Sequence, residues 1–329
     1  MQPSTQPTID SRFQILSFDG GGIKGLFAAA VLASLEDDFQ VDVTNHFDLI
    51  VGTSTGGIIA LGLGLGMRPR EIVQFYTRHG GGIFRNRLGL RSISHYFTRK
   101  FSEIPLASAL RERDAFGDKL FGQSRKRLVI PSYNLGEDDV YIFRTPHHER
   151  LRRDWKVPAW KVALATSAAP TYFPAARDVD HMRLIDGGVW ANNPTMVGVI
   201  EALSVLSVPL ASIHVFSVGT TDAVVARTNA LDRGGLWQWR NAAVDVIMRG
   251  QSIGVHKQTL HLLGAEQVCR IDPKVPQGLF SLDRLNADQL IAKAAHESRV
   301  LAPSFKAQFL SHVAPPYVPL AGPKDGGST

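Results

Sequence analysis

Only one cysteine, Cys269, occurs in the 329 residues. No disulfide can therefore form within the chain, which excludes a disulfide-stapled secreted scaffold. Set in the apolar stretch Val268–Ile271, that thiol is expected to be reduced, buried and inert. Long apolar runs are also missing: Leu26–Leu35 and Ile58–Met67 reach ten residues each, whereas a membrane-spanning helix needs about 20. Met1–Asp10 is polar and lacks the apolar core of a secretory signal. The chain is thus expected in the cytoplasm, with any membrane contact peripheral. The formal charge of +6 is too small to constrain the fold, but it favours an anionic surface such as phospholipid or nucleic acid. No Cys/His cluster has metal-ligand spacing, and neither a metal nor another cofactor is expected.

What is present reads as alternating short strands and helices. Strands are expected at Gln14–Phe18, Phe47–Val51, Arg127–Tyr133, Val140–Phe143, Arg183–Ile185, Ser212–Val218 and Val268–Ile271. Helices are expected over about Ile23–Asp37, Ile58–Leu65, Ala159–Ser167, Pro194–Leu206, Leu236–Leu263 and Asn286–Leu310. That alternation predicts an α/β fold of three layers, α/β/α, with a largely parallel central sheet. A single domain over 12–313 is expected, with flexible termini at 1–11 and 314–329. Gly80–Ser102 opens with three glycines and continues with Arg85, Arg87, Arg91, Arg99 and Lys100 among apolar residues. It reads either as a membrane-docking or lid loop or as a solvated surface loop.

Three motifs carry chemistry. Gly52-Thr53-Ser54-Thr55-Gly56 fits G-x-S-x-G, directly after a strand and directly before a helix. A serine on so sharp a turn stands exposed over the sheet edge as a nucleophile, and the helix that follows points its positive dipole end at developing negative charge. Gly250-Gln251-Ser252-Ile253-Gly254 fits the same pattern inside a long helical stretch. Ser252 is therefore read as structural, because the motif means little outside its context.

Asp19-Gly20-Gly21-Gly22-Ile23-Lys24-Gly25 joins the first strand to the first helix. Unshielded N–H groups of Gly20, Gly21 and Gly22 at a helix N-terminus form an anion site, which in acyl transfer is an oxyanion hole. A bare packing turn is the plainer alternative. Gly20, Gly22 and Gly25 also fit the dinucleotide fingerprint G-x-G-x-x-G, but the acidic residue wanted after the second strand is replaced by Gly52-Thr53-Ser54. A Walker A loop fails because Gly25 follows Lys24. In Asp186-Gly187-Gly188, the aspartate at a strand end is either a turn or cap residue or a functional carboxylate aimed at the sheet edge. Of the histidines after Asp186, namely His214, His256, His261, His296 and His312, none occupies an evident loop after a strand, so a Ser-His-Asp triad has no clear third member.

Taken in order, DGGGIKG, GTSTG and DGG resemble the patatin-like phospholipase family, as do Ala165–Pro174 (ATSAAPTYFP) and Asp186–Pro194 (DGGVWANNP). The likeness spans about residues 13–220; the family more often has arginine where Lys24 stands. It implies a patatin-like fold and a lipid acyl hydrolase with a Ser-Asp dyad. Ser54 would be the nucleophile, Asp186 the base and Gly20–Gly22 the oxyanion hole, supported by Asp19, Lys24, Gly25, Gly52, Gly56, Gly187 and Gly188. An ordinary aspartate, with a pKa of about 3.9, is a weak base for a serine, so burial is expected to raise the Asp186 pKa. Some small bacterial members, which this chain resembles in its bare architecture, act as antiphage effectors that degrade membrane phospholipid when a cyclic dinucleotide binds. A phospholipid surface at the inner membrane and a cyclic dinucleotide activator are therefore expected partners, homo-oligomerisation remains open, and no nucleic-acid polymer is expected. Basic clusters at Arg85–Lys100, Arg125–Arg127 and His147–Arg153 are candidates to receive its phosphates or to face lipid or solvent. The alternative is a scaffold or lipid-binding protein that retains the fold without catalysis.

Overall fold

The computed structural model describes residues 12–83, 101–224, 229–235, 239, 242–276 and 286–322. Its main sheet runs in the order β4-β3-β2-β1-β6-β8, with β5 attached to β3. These strands are β1 (Phe13–Phe18), β2 (Leu49–Gly52), β3 (Arg127–Asn134), β4 (Asp139–Arg144), β5 (Leu184–Asp186), β6 (Ile213–Val218) and β8 (Val268–Ile271). β1 pairs in parallel with β2 and β6, β2 with β3, and β6 with β8, while β4 and β5 run antiparallel to β3. A separate parallel pair is formed by β7 (Asp222–Val224) and β9 (Lys274–Pro276).

Both faces of the sheet are buried, and alternate residues serve alternate faces. Leu16, Phe18 and Ile50 join the larger core together with α1 (Gly25–Phe39), α2 (Thr55–Gly64), α3 (Pro69–Ile83), α4 (Ile104–Leu110) and α5 (Ala159–Thr166). Ile15, Leu49 and Val51 face the other way, against the Val199–Ala202 side of a helix. The helices after α5 are α6 (Gly188–Ala191), α7 (Thr195–Ser204), α8 (Ala243–Leu263) and α9 (Ala287–Phe309). Phe305 and Phe309 of α9 pack in tilted and edge-on contacts against Phe47 and Phe216 on the first face. Strands buried on both faces lose the polar/apolar alternation, which is why β1 and β2 read as nearly continuous apolar runs.

Several elements differ from expectation. α2 begins at Thr55 rather than Ile58, so the helix starts on the residue after Ser54. α3 and α4 were not expected; Gly80–Ile83, thought to open a loop, complete α3. The basic stretch Arg85–Lys100 lies outside the described residues. Cys269 is half-buried rather than buried, because its strand is the edge of the sheet; burial nevertheless holds its thiol up at about 11. At the C-terminal end, Ala314 N–H donates to Asn45 O, Leu320 N–H donates to Pro146 O, and the Arg127 guanidinium lies over the Tyr317 ring.

Candidate active site

β3 is the rail on which the site is assembled. Its first residues pair with β2, Val129 opposite Val51. β2 then ends at Gly52, and further along β3 the antiparallel strand β5 places Asp186 opposite Ser132. A strand that ends in a turn thus meets, just beyond that turn, a second strand running back toward it. Ser54 Oγ donates to Asp186 Oδ2 at 2.6 Å.

The turn itself is strained. Ser54 has φ 56° and ψ −124°, a conformation that non-glycine residues rarely adopt. It is held by Ser54 N–H donating to Thr166 Oγ1 (3.0 Å), whose hydroxyl donates onward to Pro131 O (2.6 Å). Thr53 N–H donates to Phe18 O, and Thr53 Oγ1 donates to Ala191 O. Gly52 and Gly56 allow the close approach, since a Cβ on Gly52 would lie 2.1 Å from Gly56 O and one on Gly56 would lie 2.4 Å from Phe18 O. Tyr76 of α3 hydrogen-bonds the hydroxyl and carbonyl of Thr55, fixing the first turn of α2.

Asp186 is 5% exposed and Ser54 is 9% exposed. Burial raises the Asp186 carboxyl to about 6, against the opposing pull of hydrogen bonds from Ser54 and from Gly188 N–H (2.7 Å to Oδ1). A carboxylate whose pKa lies near neutrality, in contact with a serine hydroxyl, has the reach and the basicity for general-base work. Gly187 packs on Pro131, and its N–H donates to Thr166 O.

The glycine loop abuts Ser54: a Cβ on Gly20 would lie 3.3 Å from Ser54 Cβ. Its three N–H groups are not equivalent. Gly20 N–H donates to Asn192 O at 2.9 Å, whereas those of Gly21 and Gly22 find no acceptor among the described residues. Gly22 has φ 58°, a left-handed conformation suited to glycine. Lys24 Nζ donates to Thr221 O, and Gly25 packs on Thr55.

Asp19 turns away from Ser54 and forms a buried bidentate pair with Arg270 (3.1 and 2.6 Å), which also reaches Ser217 Oγ and Asp272. Arg270 lies in a stretch read from sequence as apolar, and its role as the anchor of the glycine loop was not legible there. Leaving Asp19 buried without its partner is expected to cost about 3–5 kcal/mol. Urea unfolding of Arg270→Met should show this loss, and an unchanged midpoint would reject it.

The second G-x-S-x-G segment lies within α8, as expected for a structural serine. It touches the site only through a neighbour: Asn192 Nδ2 donates to Ser252 Oγ (3.0 Å), and Asn193 N–H donates to Gln251 Oε1 (3.1 Å). Among the remaining histidines, His214 meets Arg12 and His312 meets Asp48. Neither contacts Ser54 or Asp186. Thr166 and Asn192, which hold the serine turn and the glycine loop, fall inside the two further stretches quoted for the family resemblance, but nothing local in sequence assigns them those contacts.

A family model described as patatin-like phospholipase matches residues 16–199, which include all three motifs. A Pseudomonas aeruginosa protein named cGAMP-activated phospholipase is 34% identical over 281 residues, covering 83% of each chain. A Vibrio cholerae protein of the same name is 32% identical over 243 residues, covering 66% of this chain and 67% of its own. Patatin-like protein 2 of rice is 31% identical over 225 residues, covering 59% of this chain and 53% of its own.

Proposed function

The chain belongs to the patatin-like phospholipase family and is a hydrolase, and on that premise we propose that it cleaves phospholipid acyl esters with a Ser54–Asp186 dyad, under the control of a cyclic dinucleotide. The observation that carries this reading is the 2.6 Å hydrogen bond from Ser54 Oγ to a buried carboxylate. Ser54 Oγ attacks the ester carbonyl carbon as its proton passes to Asp186 Oδ2. Negative charge then gathers on the carbonyl oxygen, where the N–H groups of Gly21 and Gly22 are the available donors. Collapse returns the Asp186 proton to the departing alcohol and leaves an acyl-serine. A water molecule then attacks that ester as its proton passes to Asp186, and collapse returns the proton to Ser54 Oγ as the fatty acid leaves.

The switch is supported by the two bacterial relatives named for activation by cGAMP. Substrate is taken from a bilayer surface; no helix among the described residues is long and apolar enough to cross a membrane. The net charge of +6 favours anionic lipid, and the inner membrane surface is the proposed place of action. Fatty-acid release from phosphatidylethanolamine–phosphatidylglycerol vesicles, with and without cyclic GMP–AMP, tests this directly. Nucleotide-dependent release is expected, and no release in either condition would reject the reading.

The oxyanion assignment has its own test. A Cβ on Gly21 would lie 2.1 Å from Thr220 Oγ1, so Gly21→Ala must displace the loop. Loss of one donor lowers kcat by about 10²–10³-fold, and a kcat within a few-fold of wild type would exclude the glycine loop as oxyanion hole.

A further inference from the structure

A surface cavity of about 360 Å³ away from the dyad is lined by Arg152, Arg153 and Lys156 from one segment and by Asp178, Val179 and Asp180 from another. Ligand sites for small molecules run from about 300 to 1,000 Å³. The other two basic segments are accounted for differently. Arg127 stacks on Tyr317 of the chain's own C-terminal stretch and Lys126 Nζ donates to Phe47 O, so both cations are engaged within the chain. Arg85–Lys100 lies outside the described residues. Within the third segment His147 is buried against Glu201 (3.0 Å), whereas Arg152 and Arg153 line the cavity.

The cavity's two walls lead to the two halves of the dyad. Val157 and Pro158 also line it, and Pro158 caps α5. Eight residues on, about 12 Å along the axis, α5 ends at Thr166, which accepts the N–H of Ser54 through its hydroxyl and that of Gly187 through its carbonyl. The opposite wall, Asp178–Asp180, lies in the loop closed by the paired residues Ala176 and Leu184, and Leu184 opens β5, the strand that ends in Asp186. Lys161 Nζ of α5 donates to Asp178 O across the two walls.

We propose that this cavity is the receptor site for a guanine-bearing cyclic dinucleotide, an inference that rests on the nucleotide-switched hydrolase proposed above. Arginine forks match phosphodiester oxygens, which accounts for Arg152 and Arg153, and Lys156 adds a point charge beside them. A phosphate alone gives no reason for two carboxylates beside them. The guanine N1–H and N2–H₂ edge gives a reason for one of them, because two adjacent donors meet the two oxygens of one carboxylate, an acceptor-only group. Arg153 and Asp180 pair only loosely, at 3.7 Å and with both side chains largely exposed, so the ligand displaces little in separating them. A molecule bound to both walls fixes the spacing between α5 and β5, and through them that between Ser54 and Asp186. Coupling of this kind needs an element whose arrangement both sites bias, and α5 is that element.

The test uses the full chain, titrated by calorimetry with cyclic GMP–AMP, cyclic di-AMP and inorganic phosphate, and assayed for fatty-acid release from the same vesicles. Arg153→Glu with Lys156→Glu should weaken cyclic GMP–AMP binding roughly thirtyfold or more and raise the concentration for half-maximal release in step. An unchanged melting temperature should accompany this, since both side chains are exposed. Asp178→Asn with Asp180→Asn should erase most of the preference for cyclic GMP–AMP over cyclic di-AMP. Full binding and activation in the charge-reversed variant, with wild type activated, would overturn the site while leaving the nucleotide switch intact. Phosphate binding as tight as the dinucleotide and equally sensitive to the substitutions would make this a simple anion site and also overturn it. If wild type neither binds nor responds to any cyclic dinucleotide, the switch itself falls and this site with it.

Discussion

Alanine at position 54 is expected to lower phospholipid hydrolysis by about 10⁴-fold or more, the scale seen when a serine hydrolase loses its nucleophile. The substitution removes the one atom that forms the new bond to the acyl group. It should leave the fold intact, because the turn is held by Ser54 N–H on Thr166 and by the bonds of Thr53, none of which involves the lost hydroxyl. Alanine is no more strained than serine at φ 56°, so a folded protein is expected alongside the lost activity, at a cost of about 1–3 kcal/mol for the donor taken from Asp186. Ser252→Ala is the control: its hydroxyl only accepts from Asn192 Nδ2, and activity within a few-fold of wild type is expected. Retention of more than about a hundredth of the activity by Ser54→Ala would remove Ser54 from the role of nucleophile.

The second large effect concerns Asp186, in both rate and stability. With the carboxyl at about 6, kcat/KM should rise tenfold per pH step on the acid side and level off above about pH 7, since only the ionised form accepts the serine proton. Asp186→Asn should lose about 10³-fold or more and show no inflection near pH 6. Stability should move the opposite way. Between 3.8, the ordinary value, and about 6, the folded chain holds a proton that the unfolded chain releases, so wild-type stability falls as pH rises through this window. The full difference is on the order of 3 kcal/mol. Asparagine carries no charge to bury, so at pH 8 the variant should be the more stable protein, with the gap closing toward pH 4. Chemical denaturation at the two pH values measures this. A variant less stable at pH 8, or a pH-rate profile flat from 5 to 8, would show that burial does not set the base.

How much of this was legible depended on how local the signal was. The serine turn was readable because its geometry is contained in a few residues: a strand, two glycines flanking a serine and a helix. Its bounds were less exact: β2 starts at Leu49 rather than Phe47, and the start of α2 was placed three residues late because the glycines at 56 and 57 hid the first turn. α3 went unread because three glycines at its end resemble a loop, although Ile72, Phe75 and Tyr76 are buried at helical spacing. The carboxylate was readable only as a candidate, since an isolated Asp-Gly is more often a turn.

By itself the sequence determined the alternation of strands and helices, the sharp turn at Ser54 and the glycine loop after β1, because each follows from neighbours in the chain and from backbone sterics. Tertiary structure alone decided that Asp186, 132 residues away, meets Ser54, since this depends on β5 joining β3 just past the end of β2. It also decided that Gly20 gives its N–H to Asn192, that Arg270 anchors Asp19, and that burial lifts a carboxyl from 3.8 to about 6. Those outcomes arise from which groups are excluded from water together, and only the packed chain determines that.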